Sequence, residues 1–145
     1  MHAILRSFYT TLCMSLFPIV AQAQVTEAQR PPPETILLFV AAWCAPCHGE
    51  LAHLADIGRA AQPYRILVVP FDDSRATRTM LAAVPLTQRW QPDRATQRKL
   101  AAEVERRSAG LPFSLAIDKE ARICAAQSEA LDAARTAALV ASCRR

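Results

Sequence analysis

Aromatic residues make up only 6% of this 145-residue sequence, and few of them lie outside apolar runs. The basic residues are scattered, with no stripe along any segment. A nucleic-acid-binding chain needs such a stripe with stacking side chains beside it, so that function class is excluded. The formal net charge of +4 then reads as a solvated surface. No internal repeat is present. The apolar stretch Leu12 to Val20, interrupted by Pro18, falls short of the ~20 residues of a comfortable membrane span. What the chain does have is core-forming material. Hydrophobic residues are 52% and charged residues 21% of a length suited to one domain, which argues against global disorder.

Residues 1–23 are expected to be a signal peptide. Met1 to Arg6 gives a short positive start, Leu12 to Val20 an apolar stretch, and Ala21-Gln22-Ala23 the small-x-small pattern that signal peptidase accepts. An uncleaved membrane anchor is the alternative. Cys13 would leave with this segment, and Thr10-Thr11-Leu12 before it is no lipobox, which argues against a lipoprotein. Cys44, Cys47, Cys124 and Cys143 remain. An even number of cysteines in an exported chain points to an oxidising compartment, and the bacterial character of the leader makes that compartment the periplasm.

Gln24 to Glu34 is polar, contains Pro31-Pro32-Pro33, and is expected to be an extended tether. Ile36 to Val40 is a continuous apolar run, as a strand buried on both faces requires. From Cys47 to about Ala61 the pattern is helical, with Leu51, Leu54, Ala55 and Gly58 on one face. Arg65 to Phe71 reads as a second buried strand and Asp72-Asp73-Ser74 as a turn. Helices are expected from Arg75 to Ala83, and from an Asp93 cap to about Ser108 with a stripe of Ala95, Leu100, Ala101 and Val104. A third strand, Phe113 to Ile117, follows Gly110-Leu111-Pro112, and a turn at Asp118-Lys119-Glu120 leads to a fourth, Ala121 to Gln127. Leu131 to Cys143 is an alanine-rich terminal helix carrying Leu131, Ala134, Ala138 and Leu139. Helical crossovers predict parallel pairing among the first three strands; the short turn makes the last two antiparallel.

The chemistry is carried by Cys44-Ala45-Pro46-Cys47, a Cys-x-x-Cys pair where a strand ends and a helix opens. A helix N-terminus offers unpaired N–H groups and partial positive charge, which stabilise a thiolate at Cys44. Two intervening residues let the second sulfur close back on the first. Cys44 is thus the candidate nucleophile and Cys47 the resolving thiol. Pro46 removes an N–H that a first helical turn leaves unused and stiffens the loop. Trp43 covers the sulfur pair with apolar surface.

Phe39-Val40-Ala41-Ala42-Trp43-Cys44-Ala45-Pro46-Cys47 resembles the active-site strand and loop of the thioredoxin superfamily. With an acid, Glu50, three residues after Cys47, it is most similar to the exported TlpA/ResA-type branch. The resemblance implies that Glu50 lies beneath the cysteines as a proton acceptor or tuner of the site, whereas spacing alone fits a solvated helix acid equally well. Gly110-Leu111-Pro112-Phe113 is similar to the family's cis-proline segment, which implies a cis Pro112 exposing the Leu111 backbone to an extended substrate; a trans proline starting a strand is the alternative. The expected fold is therefore an α/β thioredoxin-like domain over residues 35–145, a central mixed four-stranded sheet flanked by helices. The implied activity is disulfide exchange with protein or peptide substrates, as a monomer without cofactor, in the reductive direction, supplied by a membrane thiol donor. The sequence departs from the pattern in two places. The acid that thioredoxin itself carries in the active-site strand is absent. The polar tether also leaves the domain without the N-terminal hairpin and further strand and helix of TlpA/ResA relatives.

Three rival readings remain. Cys44-Ala45-Pro46-Cys47-His48 satisfies the Cys-x-x-Cys-His pattern of c-type haem attachment, which needs His48 as axial ligand, although some thioredoxin-fold isomerases also carry a His there. Cys44, Cys47, His48 and His53 offer four ligands for zinc or copper, but without a distant second pair this is a weak zinc signature, and His53 fits a surface position better. A non-catalytic thioredoxin-fold binding or assembly protein would keep the pair as a structural disulfide. Separately, antiparallel return brings Cys124, at the start of the last strand, towards Cys143, at the end of the last helix. A structural disulfide there would stabilise the fold by roughly 3 kcal/mol through its loop of about 18 residues; two independent thiols are the alternative.

Overall fold

The computed structural model describes residues 30–144, so the expected signal peptide and the first part of the tether lie outside the described residues. Strand β1 (Thr35–Val40) is buried at every position. A strand with no polar face must be covered on both sides, and it occupies an inner position of the four-stranded sheet, whose order is β2-β1-β3-β4. On one edge it pairs in parallel with β2 (Arg65–Pro70), from Thr35↔Arg65 to Val40↔Pro70. On the other it pairs antiparallel with β3 (Phe113–Ile117), which pairs antiparallel with β4 (Ile123–Gln127).

Alternation along the strands divides the core into two layers. Ile36, Leu38 and Val40 pack with Ile66, Val68 and Ala116 against α1 (Ala45–Ala52), α2 (Leu54–Ala60) and α5 (Ala133–Ser142). Leu37 and Phe39 pack on the opposite face with Leu67, Val69, Phe113 and Leu115, covered by Leu100 and Val104 of α4 (Arg94–Arg107). The remaining helix, α3 (Arg75–Leu81), follows β2 and is capped by the Ser74 hydroxyl. Asp93 caps α4 as expected, accepting from the Thr96 N–H at 2.8 Å. Among the described residues no helix is long and apolar enough to cross a membrane.

The sequence expectation of three parallel strands is overturned at β3. One helical crossover returns a chain to the amino end of a sheet, whereas here the chain passes back twice. After α3 the Arg89–Trp90 segment runs up again beside β2, where Val68 and Arg89 form a parallel bridge. Helix α4 therefore begins level with the end of β2, its Gln97 amide donating to the Pro70 carbonyl at 3.2 Å. It delivers the chain to β3 at that same end, so β3 runs antiparallel to β1.

Helix details also differ. The expected Cys47–Ala61 helix starts at Ala45 and breaks at His53, whose N–H is shared between the Gly49 and Glu50 carbonyls. Its buried stripe is Cys47, Glu50, Leu54, Ile57 and Ala61, while Ala55 is exposed. The reason is that Ile57 is the large apolar residue at the right spacing. Likewise Ala95, Ala134 and Ala138 are exposed: Leu100 and Val104 anchor α4, and Thr136, Leu139 and Val140 anchor α5. Small alanines bury little apolar area and do not decide which face turns inward.

Candidate active site

The apolar run of β1 ends at the tight turn after Val40, where the Cys44 N–H donates to the Ala41 carbonyl at 3.0 Å. Cys44 then stands in extended conformation as the N-cap of α1 (φ −87°, ψ 96°), and Pro46 falls in the first turn. The Cys47 N–H donates to Cys44 Sγ at 3.3 Å, so this sulfur occupies the position that a capping oxygen takes in other helices. Cys44 and Cys47 are joined as a disulfide. The two sulfurs are not equivalent. Cys47 is fully buried, with Sγ 3.8 Å from the Phe39 carbonyl, an acceptor for its S–H once the pair is reduced; Cys44 keeps a 3% exposure.

Glu50 lies one turn further into α1, on the buried stripe that Cys47 begins. It is 2% exposed. Its Oε1 accepts the Leu131 N–H at 2.7 Å, while Oε2 has no partner among the described residues. Burial pushes its pKa up to about 7, against the opposing effect of the Leu131 hydrogen bond. A solvated helix acid, the alternative left open by the spacing, does not describe this residue.

Trp43 is 62% exposed and is held from the side. Its ring meets Phe71 edge-on with centroids 6.2 Å apart, and its indole N–H donates to Asp72 Oδ2 at 2.9 Å. Partial burial opposes ionisation of Asp72, but hydrogen bonds from Ser74, Thr77 and Trp43 together outweigh it and hold the carboxyl below its ordinary range. The buried Thr77 hydroxyl accepts the Ala42 N–H and the Ser74 hydroxyl, both at 3.0 Å. Asp72, Ser74 and Thr77 therefore fasten the Trp43 loop to the start of α3. In sequence Asp72-Asp73-Ser74 reads as a turn, and its one further signal is a capping serine beside two acids.

On the neighbouring strand the Leu111–Pro112 peptide is cis. Because Phe113 pairs with Phe39, Pro112 stands level with Val40, at the sheet end from which the Cys44 loop rises. Leu111 is half-buried and packs against both core layers. At the other end of the sheet a second disulfide joins Cys124 and Cys143.

The molecule has a thioredoxin-like fold. It is similar to the reduced N-terminal domain of PilB from Neisseria meningitidis (TM-score 0.56, 15% identity, 78% of this chain and 80% of that one). It is also similar to a DsbF homologue from Corynebacterium diphtheriae (0.55, 18%, 76% and 73%). A third likeness is to Etrx1, an exposed lipoprotein thioredoxin of Streptococcus pneumoniae (0.51, 19%, 69% and 77%). No protein-family model matches the sequence, and comparison with curated proteins finds no significant match. The mixed four-stranded sheet flanked by helices is the architecture these structures share with it.

The Cys44 and Cys47 sulfurs bond each other, His48 Nε2 sits 2.9 Å from the Ala42 carbonyl, and His53 is exposed beside Asp56. Among the described residues no three His, Cys, Asp or Glu side chains converge as metal ligands.

Proposed function

We propose that this chain is an extracytoplasmic thiol–disulfide oxidoreductase, exchanging disulfides with protein or peptide partners through Cys44 and Cys47. The observation that carries this reading is the placing of the pair: Cys44 caps a helix and receives an N–H on its sulfur, with Cys47 wholly buried behind it. A helix N-terminus favours the thiolate, which is the attacking species.

In the reductive direction the Cys44 thiolate attacks one sulfur of a partner disulfide. A mixed disulfide forms, and the partner's other sulfur departs as a thiolate with the electron pair. Cys47 then gives up its proton and attacks Cys44 Sγ. The second partner sulfur leaves as a thiolate, and the Cys44–Cys47 disulfide remains. Two electrons have passed to the partner. Glu50, with a pKa of about 7, is half ionised near neutrality and suits the role of acceptor for the Cys47 proton. Leu111 and Pro112 line the substrate groove, offering the Leu111 backbone to an extended partner segment. Trp43 and Pro46 shape the rim.

The Trp43-Cys44-Ala45-Pro46-Cys47 motif followed by Glu50, in its resemblance to the TlpA/ResA-type branch, supports the reductive direction and a membrane thiol donor. The leader pattern of residues 1–23 supports cleavage and a periplasmic location. Turbidimetric reduction of insulin by dithiothreitol tests the activity: the wild type accelerates it and Cys44→Ser does not. Acceleration that survives Cys44→Ser, or none in the wild type, overturns the proposal and returns the pair to a structural role.

A further inference from the structure

Helix α4 ends at Ser108, which stands in extended conformation as its C-cap with its N–H on the Val104 carbonyl at 2.9 Å. Shortly after it comes Leu111, whose backbone the proposed reaction offers to a partner. Between the two, the Ser108 hydroxyl bonds Gly110 twice. It donates to the Gly110 carbonyl at 2.9 Å and accepts the Gly110 N–H at 3.3 Å. Gly110 has φ +139°, a conformation that residues with a side chain rarely adopt. One hydroxyl therefore occupies both backbone polar groups of this residue and holds the turn in a shape suited to glycine. Ser108 is half-buried, so both bonds are partly shielded from competing water.

Leu111 differs. It lies outside β3, and neither its N–H nor its carbonyl has a hydrogen-bond partner among the described residues. Pro112 has no N–H to give, and the ladder to β1 begins at Phe113, paired with Phe39. Across residues 110–113, Leu111 alone keeps both groups free. We propose that Ser108 is a specificity-determining positioning residue of the Cys44–Cys47 site: by occupying Gly110 it confines backbone pairing to Leu111, and so selects partners that present their disulfide on an extended polypeptide. A partner strand that meets one ready N–H and carbonyl has one register in which to pair, and that register fixes which of its residues stands over Cys44. Setting the turn before the partner arrives also spares the entropy of ordering it. A disulfide without flanking peptide makes no use of Leu111 and gains nothing from Ser108. The inference rests on the oxidoreductase reading and deepens it by naming the substrate class and the residue that selects it.

The test is the single-turnover reaction of the pre-reduced full chain with two disulfides. One is an extended peptide dimer joined through a central cysteine of each strand; the other is dipyridyl disulfide, which has no peptide backbone. Each turnover oxidises the Cys44–Cys47 dithiol to its disulfide and reduces one substrate disulfide to two thiols. In Ser108→Ala the half-saturating peptide concentration is expected to rise roughly fivefold, the weight of one net hydrogen bond, with the limiting rate unchanged. The rate with dipyridyl disulfide stays at the wild-type value. Ser108→Thr, which keeps the hydroxyl on a residue at ease in extended backbone, restores peptide binding. Amide hydrogen exchange reports the cause directly: the Gly110 N–H is protected in the wild type and loses that protection in Ser108→Ala. Equal losses on both disulfides, or an unchanged peptide reaction once Gly110 has lost protection, overturn the inference and leave Ser108 a role in stability alone. A wild type that leaves the peptide disulfide intact refutes the oxidoreductase reading, and this inference with it. A wild type active on the peptide beside an equally active Ser108→Ala refutes the positioning role and spares the reading.

Discussion

The two disulfides are chemically the same bond in opposite electrostatic settings. Cys44 caps the N-terminus of α1 and receives a backbone N–H on its sulfur. Cys143 caps the C-terminus of α5, where its own N–H turns back to the Val140 carbonyl, and Cys124 Sγ faces the Ala116 carbonyl at 3.2 Å. Unpaired N–H groups favour a thiolate; carbonyl oxygens and the negative helix end oppose one. The chain lengths enclosed differ as well, with separations of 3 and 19 residues. A short loop removes little entropy from the unfolded chain, and a long one removes more. Under the proposed function, one setting suits a pair that is exchanged and the other a pair that is kept. Position relative to a helix, more than the presence of two cysteines, separates the two roles.

The largest effect is expected from removing cysteines from each pair in turn. Cys44→Ser is expected to lower insulin reduction by on the order of 10³-fold, to background, and Cys47→Ser to accumulate mixed disulfides visible on non-reducing gels. Cys124→Ser/Cys143→Ser should keep exchange activity at pH 8 within a few-fold. Equal losses from both pairs would erase the distinction.

Glu50 gives the next largest effect. Its folded pKa of about 7 lies above the ordinary value of 4.5, so the folded chain binds more protons between these limits. Stability from this group is complete below about pH 4.5 and is lost as pH rises through 7, by on the order of 3 kcal/mol. Thermal melts of the wild type should show that decline, and Glu50→Gln should flatten it. Removing the Cys124–Cys143 bridge should destabilise by roughly 3 kcal/mol, lowering Tm by on the order of 10 °C; breaking the Cys44–Cys47 bridge should cost far less. The smallest effect belongs to the loop anchor. Asp72→Ala, which frees the Trp43 indole and one end of the Ser74–Thr77 network, should destabilise by about 1 kcal/mol and change insulin reduction only a few-fold.

Local chemistry was legible in the sequence, and long-range closure was not. Thr35–Val40 announces an inner strand because no residue in it offers a polar face, and Cys44, Pro46 and Cys47 announce a helix start because capping chemistry is local. The return of Cys143 towards Cys124 also follows from local order, since a turn and an antiparallel helix determine it. The direction of β3 was hidden by the Arg89–Trp90 pass, which has no periodicity of its own and is held by a single bridge to Val68. Spacing alone fitted a solvated acid at Glu50 equally well, because the hydrogen bond that meets it in the core comes from Leu131, 81 residues away. Asp72 and Thr77 were invisible for the same reason: their partners Trp43 and Ala42 lie 29 and 35 residues upstream.

The Arg89–Trp90 pass has a further effect on how the molecule meets its neighbours. A bare outer strand is a template on which a second chain can add itself. At β2 that template is already occupied, because the Trp90 N–H donates to the Val68 carbonyl at 3.0 Å. An incoming strand would have to displace Trp90 before it could pair in the middle of β2. Protection against edge-to-edge aggregation is thus written into the same detour that reverses β3, and it covers the middle of β2, between the exposed Arg65 and the terminal Pro70.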